Sequence, residues 1–448
     1  MKAMRATLSV LLALALSVAL GCTINPGMKK TPVPLAGAFA APERTPIYRH
    51  AGWTIARGSI HNHTTYSDGC RSPEDLLELA RRQGMAVLSF NDHREGKYCI
   101  GKLCVNVGGV SSYGYQNYWD HLGRVQKQGA EKGMIVLKGI EVIPYFYQMG
   151  KVPFLVVDGL QHHFVIYGVD DLRLFENMPT RQTINSLRPE SRPDDAPWRE
   201  FVDYLDAHGA IVSAAHVEEG ADMWIGPLHG SCPPVPKNIH RLRGLTAFAV
   251  LPFGFHDAVA GPGGLWDTTL IEYLVGMRPR PLWAVGDTDY HGPEASLAIA
   301  TTLFYLKEFS EPDVLAAMRE GRMVALQGNA FQNSYVAEWW VSEGKMMPDD
   351  QVMLGRTFTV GNVPVIKFAL DHPVAGCKTR LIRNGVLATE VEGTELWFED
   401  TDAAARREPV FYRVEVQGPR ENYGKFDDYP TQPWSEIFVN PIFVRFSH

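Results

Sequence analysis

The sequence has little of several features that define specialised protein classes. Its 448 residues include only 6 cysteines, of which Cys99 and Cys104 are close enough in sequence to pair in an oxidising compartment. Positive charge is not in excess: 43 Lys and Arg face 50 Asp and Glu, and the net charge is −7. This balance excludes a nonspecific nucleic-acid binder, which needs a basic surface. It leaves room for a small phosphorylated substrate held by metal ions, because bound cations outweigh nearby carboxylates.

Long hydrophobic runs are also missing, with one short exception at the N-terminus. The apolar run of residues 8–20 follows two positive charges and is short for a membrane-spanning helix, so it predicts a signal peptide over residues 1–22. "ALGC" resembles a bacterial lipoprotein signal with Cys22 as the lipidated residue; plain secretion is the alternative. We expect residues 23–52 to form a Pro-rich tether. The expected location is the periplasm or the cell surface, with the lipid anchor as the membrane contact.

Short apolar strands alternate with helices over residues 53–328. Ser72 precedes Pro73 and is followed three residues later by Asp75, which predicts a capped helix that stops at Gly84. Strands are predicted in the apolar runs "ARGSIHNH", "MAVLSF", "GMIVLKGIEV", "HHFVIYGV", "GAIVSAAHV" and "PLWAVG". This alternation predicts an α/β fold, either a parallel β/α barrel or an open sheet.

The pattern changes after about residue 328. Segments such as "RTFTVGNVPVIKFALDH", "CKTRLIRNGVLATEVEG" and "PVFYRVEVQG" alternate apolar and polar residues with a period of two. Turn residues separate the segments every 8–12 positions or so. Residues 329–448 are therefore predicted to form a small β-sandwich domain.

Residues of metal-ligand type fall at the ends of the predicted strands in the first region. A lone histidine at a strand end is more often a hydrogen-bonded structural residue, so the prediction depends on the set as a whole. Strand ends are where loops build the active site of a β/α barrel. Mixed imidazole and carboxylate donors suit zinc, manganese or iron better than calcium. The candidate ligands are His61, His63, Asp68, His93, Glu141, His163, His216, Asp289 and His291.

The motifs that carry these residues resemble those of the PHP (polymerase and histidinol phosphatase) family. "HNHTTYSDG" resembles the first motif, "SFNDH" the second, "GIEV" the glutamate segment and "HHFVIYG" the histidine strand. "AAHV" and "GDTDYHG" are similar to the last two motifs, although the first lacks a proline that often follows and the second has an extra acid, Asp287. The resemblance covers about residues 57–328. Export and the appended sandwich are similar to the CehA/McbA-like branch, which includes carbamate hydrolases.

The resemblance implies a distorted (β/α)7 barrel that holds two or three divalent ions (Zn, Mn or Fe). One ion would be held by His61, His63, Glu141 and Asp289. Asp68 and His93 would surround a second ion that shares Glu141. His163 and His216 would hold a third, and His291 would share in the first group.

The same resemblance implies a metal-dependent hydrolase in which water bridging the ions becomes the nucleophile. Asp68 and His93 would be catalytic, and Arg94 would hold a phosphate, with a plain surface arginine as the alternative. Asp287 and Tyr290 would orient ligands.

Three functions remain open at this point. The first is a phosphoesterase or phosphatase that acts on a small molecule. The second hydrolyses a carbamate, ester or amide at the same ions. The third is a surface-anchored binding lipoprotein without catalysis. The intact set of nine candidate ligands favours the enzymes, because a degenerate homologue should have lost some of them.

Overall fold

The structure is a computed structural model. It describes residues 45–95, 97–100, 103–106, 108–151, 154–180, 183–184, 195–218, 220–225, 228–232, 239–251, 258–292, 296–344, 351–420 and 434–447. The predicted signal peptide and most of the predicted tether lie outside these ranges. Within them, no helix combines the length and the apolar character that crossing a membrane requires.

The first part of the described chain contains most of the predicted βα units together with two inserted small sheets. Its elements are β1 (Ile47–His50), β2 (Trp53–Ser59), α1 (Pro73–Arg82), β3 (Val87–Phe90), β4 (Lys97–Ile100), β5 (Leu103–Asn106), α2 (Val110–Tyr113), α3 (Tyr115–Glu131), β6 (Ile135–Val142), β7 (Tyr147–Lys151), β8 (Phe154–Asp158), β9 (Phe164–Tyr167), α4 (Arg173–Asn177), β10 (Thr183–Ile184), α5 (Ala196–Ala207), β11 (Ile211–Ala214), β12 (Ala221–Ile225) and β13 (Leu228–Cys232).

The second part completes the main sheet and adds the C-terminal strands. A short 3-10 helix (Ile239–Arg241) precedes it. Its elements are β14 (Ala247–Leu251), α6 (Leu265–Leu274), β15 (Trp283–Gly286), β16 (Ala300–Leu306), α7 (Glu311–Glu320), β17 (Met323–Gln327), β18 (Val336–Glu343), β19 (Thr357–Val360), β20 (Pro364–Leu370), β21 (Lys378–Arg383), β22 (Val386–Glu392), β23 (Glu395–Glu399), α8 (Thr401–Arg406), β24 (Val410–Arg420) and β25 (Trp434–Phe446).

Helix α1 shows how local sequence sets the boundaries of an element. The Ser72 hydroxyl accepts a hydrogen bond from the Asp75 amide at 3.1 Å, and Pro73 occupies the first turn. Gly84 then takes a left-handed φ of 72°, which ends the helix at low steric cost. The predicted helix is confirmed, and it places the segment just before it against the end of β2.

The main sheet follows the order β15-β14-β11-β9-β6-β3-β2-β16-β17 and then continues into the C-terminal strands. It is mixed, where the sequence pattern predicted parallel strands. β9 runs antiparallel to β6 and β11, and β16 runs antiparallel to β2. The chain between β6 and β9 contains the strands β7 and β8 instead of a crossover helix, and an antiparallel neighbour needs no crossover.

The sheet curls so that its terminal strand β15 returns to β16. Thr302 Oγ1 accepts from the Gly286 amide at 3.0 Å and donates to the Gly286 carbonyl at 2.8 Å. A Cβ atom on Gly286 would lie 2.5 Å from the Thr301 carbonyl, so only glycine permits this approach. Asn440 adds a second link, with its amide bonded to the Ala284 backbone at 2.9 and 3.0 Å. β15 forms a ladder with β14, whereas side chains of Thr302 and Asn440 join it to β16 and β25.

The C-terminal strands lie in two sheets around one hydrophobic cluster. β18, β20 and β23 form a small sheet, while β25, β24, β21 and β22 extend the main sheet through the pairing of β17 with β25. β17 belongs to the first predicted domain and β25 to the second, so this pairing joins the two across the predicted boundary between residues 328 and 329. Ile55 and Tyr305 belong to the same buried cluster as Trp339, so this core takes residues from both predicted domains.

Three local features differ from the sequence-based prediction. β1 lies inside the predicted tether of residues 23–52, because residues 47–50 pair with β2. β18 and α8 lie in the C-terminal region, where the sequence pattern indicated neither. α8 is a single short stretch that begins where the Asp400 side chain accepts from the Ala403 amide at 2.9 Å.

Candidate metal centre

The nine candidate ligands meet at one edge of the main sheet. His61, His93 and His216 follow the ends of β2, β3 and β11, and Glu141 lies near the end of β6. His163 instead precedes β9. Because β9 is antiparallel to β6, its beginning lies at the edge where β6 ends. The sequence places His163 at the wrong end of its strand for a parallel sheet, and the reversed strand direction brings it to the common edge.

An inner group combines His61, His63, Glu141 and Asp289, all of them buried. The Nε2 atom of His61 lies 3.1 Å from Glu141 Oε1 and 3.2 Å from Asp289 Oδ1. The Nε2 atom of His63 lies 3.3 Å from Glu141 Oε2 and 3.1 Å from Asp289 Oδ1. Both imidazoles therefore present the same nitrogen to the same two carboxylates, in the arrangement that a shared cation requires.

An outer group combines His63, Asp68, His93 and His291. Asp68 lies between two imidazoles, 3.4 Å from His93 Nε2 and 3.3 Å from His291 Nε2. The side chains of Asp68, His93 and His291 are 15, 12 and 23% exposed, whereas those of His61 and His63 are fully buried. The outer group therefore faces solvent.

A third group consists of His93, Glu141 and His163, with His216 beside it. His163 Nδ1 lies 2.9 Å from Glu141 Oε1, and His216 Nε2 lies 3.2 Å from His163 Nδ1. Glu141 thus contacts members of all three groups, as a bridging ligand would. His291, which the sequence-based partition gave a share in the inner group, groups with Asp68 and His93, and its Nδ1 atom also lies 3.5 Å from Asp289 Oδ1.

Three of the nine residues have a left-handed backbone that non-glycine residues rarely adopt. The φ angles of His61, His216 and Asp289 are 69°, 28° and 49°. Strained backbone of this kind collects at functional sites and costs on the order of 1–3 kcal/mol per residue. Gly69, in the first motif, packs closely on the backbone of His63. A Cβ atom there would lie 2.3 Å from the His63 carbonyl, so the position requires glycine.

The buried charges shift one another's pKa values. Burial disfavours an ionised Glu141, yet the surrounding histidines, led by His163, hold its pKa well below the ordinary value. Burial also opposes protonation of His291, but Asp68 and Asp289 raise its pKa to about 9. Glu141 therefore stays ionised near neutral pH, which is the form of a carboxylate that binds cations.

The neighbouring motif residues have distinct positions. Asp287 Oδ2 lies 3.3 Å from His61 Nδ1, on the ring side opposite the inner group. The Tyr290 carbonyl accepts from the His63 amide at 2.9 Å, and its hydroxyl accepts from Arg71 Nε at 2.8 Å. Arg94 donates to the hydroxyls of Tyr115 and Thr180 at 2.9 and 3.3 Å.

The residues present fit a bound cation. Asp287 Oδ1 and Asp289 Oδ1 are buried and make no hydrogen bond within the described part of the chain. Unsatisfied buried acceptors are rare in folded proteins and call for a partner. The Nε2 atoms of His61 and His63 face each other at 3.2 Å, and a cation between imidazole and carboxylate donors would satisfy both sets.

Sequence reasoning missed one buried acid beside these residues. Asp92 precedes His93 in "SFNDH" and is completely buried. It accepts from the Thr64 amide and from the hydroxyls of Thr64 and Ser67 at 2.7–2.8 Å, so it anchors the turn of the first motif. The signal available in the sequence was an acid directly before a candidate ligand, at the end of a predicted strand.

A separate cavity of about 500 Å³ lies at the opposite edge of the sheet, with Trp53, Trp283 and Arg322 in its lining. The Arg322 guanidinium is bound to Glu320 and Asp313 at 2.7 Å each. Within the described residues, the groups that could hold a metal all lie at the edge that carries the histidines.

No family model matches this chain, and no curated protein matches it. Among solved structures, it is similar to a two-domain protein from Bacteroides vulgatus described as containing a predicted PHP-like metal-dependent phosphoesterase. The identity is 12%, the TM-score 0.40, and the match covers 84% of this chain and 94% of that one.

Two more solved structures show weaker likeness, each covering 53% of this chain and 88% of the other. One is a proposed metal-dependent phosphoesterase from Bifidobacterium adolescentis, with 16% identity and a TM-score of 0.27. The other is an amidohydrolase from Chromobacterium violaceum with bound sulfate, with 15% identity and a TM-score of 0.26. At TM-scores of 0.40 and below, none of the three decides the function of this chain.

Proposed function

We propose that this chain is a metal-dependent hydrolase of the PHP type and that its substrates are small phosphoesters. One observation carries the proposal. Nine imidazole and carboxylate side chains from six separate segments converge at one edge of the sheet. Eight of them form three overlapping groups that could each hold an ion, and His216 lies 3.2 Å from His163 of the third group. A fold alone has no need to gather six histidines around three acids.

The exposure of the side chains indicates the direction of substrate approach. The inner group is buried, so its task is to hold and orient. Asp68, His93 and His291 form the face that solvent reaches. A substrate would therefore meet the outer group first, which supports the assignment of Asp68 and His93 to the reaction. Arg94 lies next to His93, where its guanidinium would add a positive charge at the rim.

Charge favours a phosphoryl group over a neutral one when three ions are bound. Six positive charges would then face the carboxylates of Asp68, Glu141 and Asp289, which leaves a positive centre suited to a phosphate dianion. Divalent ions would polarise the scissile group and lower the pKa of bound water. The chain's own part is to fix the donors, with Asp287 holding the His61 ring from behind.

A second candidate is hydrolysis of a neutral carbamate or ester. It is favoured by the composition of the third group, in which only His163 is not shared with another group. If two ions bind instead of three, four positive charges nearly balance the carboxylates. Such a centre suits an uncharged carbonyl substrate.

A substrate panel separates these functions. Protein purified without chelators and supplied with Mn²⁺ or Zn²⁺ is assayed on p-nitrophenyl phosphate, bis-p-nitrophenyl phosphate and naphthyl methylcarbamate. The proposal expects turnover of a phosphoester. Turnover of the carbamate alone would replace it with the second candidate, and no turnover on any of them together with no bound metal would refute both.

A further inference from the structure

The structure contains a hydrogen-bond chain that ends on one of the candidate ligands. Ser67 Oγ lies 2.7 Å from Asp92 Oδ1 and 3.2 Å from His63 Nδ1. Neither Ser67 nor Asp92 belongs to the nine candidate ligands. Asp92 is fully buried, and among its partners Ser67 is the one that also contacts an imidazole of the inner group.

The direction of each hydrogen bond in this chain follows from the donor inventory. A carboxylate only accepts, and a hydroxyl has one proton to give. Asp92 accepts from Thr64, Ser67 and Tyr118, so the Ser67 proton points to Asp92. The Ser67 oxygen is then left as an acceptor toward His63, and Nδ1 of His63 must carry the proton that is donated to it.

We propose that Asp92, acting through Ser67, holds His63 as the tautomer with hydrogen on Nδ1, so that Nε2 presents its lone pair to the inner group. This inference rests on the proposed metal site and makes Ser67 and Asp92 positioning residues. Nε2 of His63 lies 3.1 Å from Asp289 Oδ1 and 3.3 Å from Glu141 Oε2, where an ion shared with them would sit. A neutral imidazole binds a metal through the nitrogen without hydrogen.

Among the described residues, a carboxylate near this ring nitrogen is a weaker partner. Asp68 Oδ1 lies 3.4 Å from His63 Nδ1, beyond ordinary hydrogen-bond length, and it is also 3.3 Å from His291. With Nδ1 committed to Ser67, His63 can serve one ion only, through Nε2. Asp68 is then available to the outer group. The relay thus assigns His63, which belongs to two of the three groups, to the inner one.

His61 has an equivalent support of simpler form. Asp287 Oδ2 faces Nδ1 of His61 directly at 3.3 Å, and the Nε2 atoms of both rings point into the same group. The two histidines of "HNH" would therefore be oriented from behind by two different acids, one directly and one through a hydroxyl. Loss of such support lowers metal affinity by about 10–100-fold in other metal sites.

Two variants isolate the relay. Ser67→Ala removes it, and Ser67→Thr keeps the hydroxyl. Tyr118→Phe is the matched control. The Tyr118 hydroxyl also donates to Asp92, at 3.0 Å, but to Oδ2, whereas Ser67 donates to Oδ1. A purely structural role of Asp92 would make the loss of Tyr118 and the loss of Ser67 equivalent.

The decisive readout is the ring ¹⁵N NMR spectrum of metal-free, histidine-labelled protein at alkaline pH, with His63 assigned through His63→Gln. We expect Nδ1–H on His63 in wild type, Ser67→Thr and Tyr118→Phe, and a mixture of tautomers in Ser67→Ala. Titration with Zn²⁺ should show affinity about tenfold lower in Ser67→Ala than in Tyr118→Phe.

Hydrogen on Nε2 of His63 in the wild type would overturn the proposal without any variant, so a misfolded Ser67→Ala protein does not protect it. An unchanged tautomer in Ser67→Ala, or an equal shift in Tyr118→Phe, would also overturn it. The tautomer is measured without metal. A wild type that binds no Zn²⁺ would therefore refute the proposed function while leaving this measurement readable.

Discussion

Two of the clusters in which the described residues bury charge, the Arg413 cluster and the candidate metal centre, do so in opposite ways. Where β24 packs on α6, Arg413 is fully buried and donates to both oxygens of Asp267 at 2.5 and 2.9 Å, to the Ala260 carbonyl at 2.9 Å and to Glu415. Its guanidinium nitrogens therefore donate to carboxylate and carbonyl oxygens. At the metal centre, imidazole faces imidazole, and the Asp289 Oδ1 acceptor makes no hydrogen bond within the described residues.

This difference separates a structural charge cluster from a ligand site. A buried ion pair is tolerated when its hydrogen bonds are complete. A cluster whose donors converge without completing their bonds indicates that a further charged partner belongs there. The left-handed backbone at His61, His216 and Asp289 supports the same distinction, since Arg413, Glu415 and Asp267 have no positive φ.

The largest expected effect is on activity, at the metal centre. The double variant His61→Ala/His63→Ala should lose at least about a thousandfold in hydrolysis of the best substrate, because it removes half of the inner group. Initial rates are the measurement. His208→Ala, an exposed histidine bonded to the Tyr204 carbonyl, is the control and should be unaffected. Comparable activity of the double variant would mean that the convergent cluster is structural.

The next largest effect is on stability, at the Arg413 cluster. Arg413→Ala leaves Asp267 and Glu415 without their buried partner and should lower the free energy of unfolding by about 3–5 kcal/mol. Urea denaturation measures it. Arg173→Ala breaks an exposed pair with Asp171 and should leave the free energy of unfolding almost unchanged, because water screens exposed pairs. Equal costs for the two arginines would show that the buried hydrogen bonds of Arg413 stabilise the fold no more than an exposed pair does.

Metal removal should act on one cluster and not on the other. Ions at a hundred times their dissociation constant stabilise the native state by about 2.7 kcal/mol per site, so a chelator should lower the melting temperature of the wild type. Arg413→Ala should lose the same increment, because its cluster contributes no residue to the three candidate groups. His61→Ala/His63→Ala should lose less. A chelator response that depends on Arg413 would show that the two clusters are coupled.

The smallest expected effect concerns the pH dependence of stability that arises from Glu436, an acid near the Arg413 cluster. Burial, with Glu415 nearby, raises the pKa of Glu436 to about 8. The folded state therefore holds a proton that the unfolded state releases, and stability should fall as pH rises from about 4.5 to about 8. Glu436→Gln should flatten this part of the profile and raise the melting temperature at pH 9.

The control for that experiment is Glu392→Gln, whose carboxylate is 78% exposed. It should leave the pH profile as it is in the wild type. If Glu436→Gln had no more effect than this control, the Glu436 carboxyl would be ionised in the folded protein near neutral pH.

Local signals in the sequence were sufficient for elements that depend on their own residues. Ser72 and Gly84 delimit α1 as predicted, and the strands that end before His61, His93 and His216 lie where the apolar runs indicated. Most of the nine residues could be collected because they stand next to such a run, whereas Asp68 was found through the first motif. Their role as ligands remains a proposal, which the geometry supports and the substrate and metal experiments test.

Features that depend on distant partners could not be read in this way. The direction of β9 is set by its pairing with β6 and β11, and neither partner is visible in the local pattern. The grouping of His291 with Asp68 depends on how two loops meet. The Ser67–Asp92 contact joins residues 25 positions apart, and period and composition say nothing about such a contact.

The most direct test of the account is the number of ions that the purified protein holds. Metal-free protein is dialysed against Zn²⁺ or Mn²⁺ and then analysed by elemental mass spectrometry, beside His61→Ala/His63→Ala. The account predicts two or three ions per chain in the wild type and fewer in the double variant. No bound ion in the wild type, or the same number in both proteins, would contradict it.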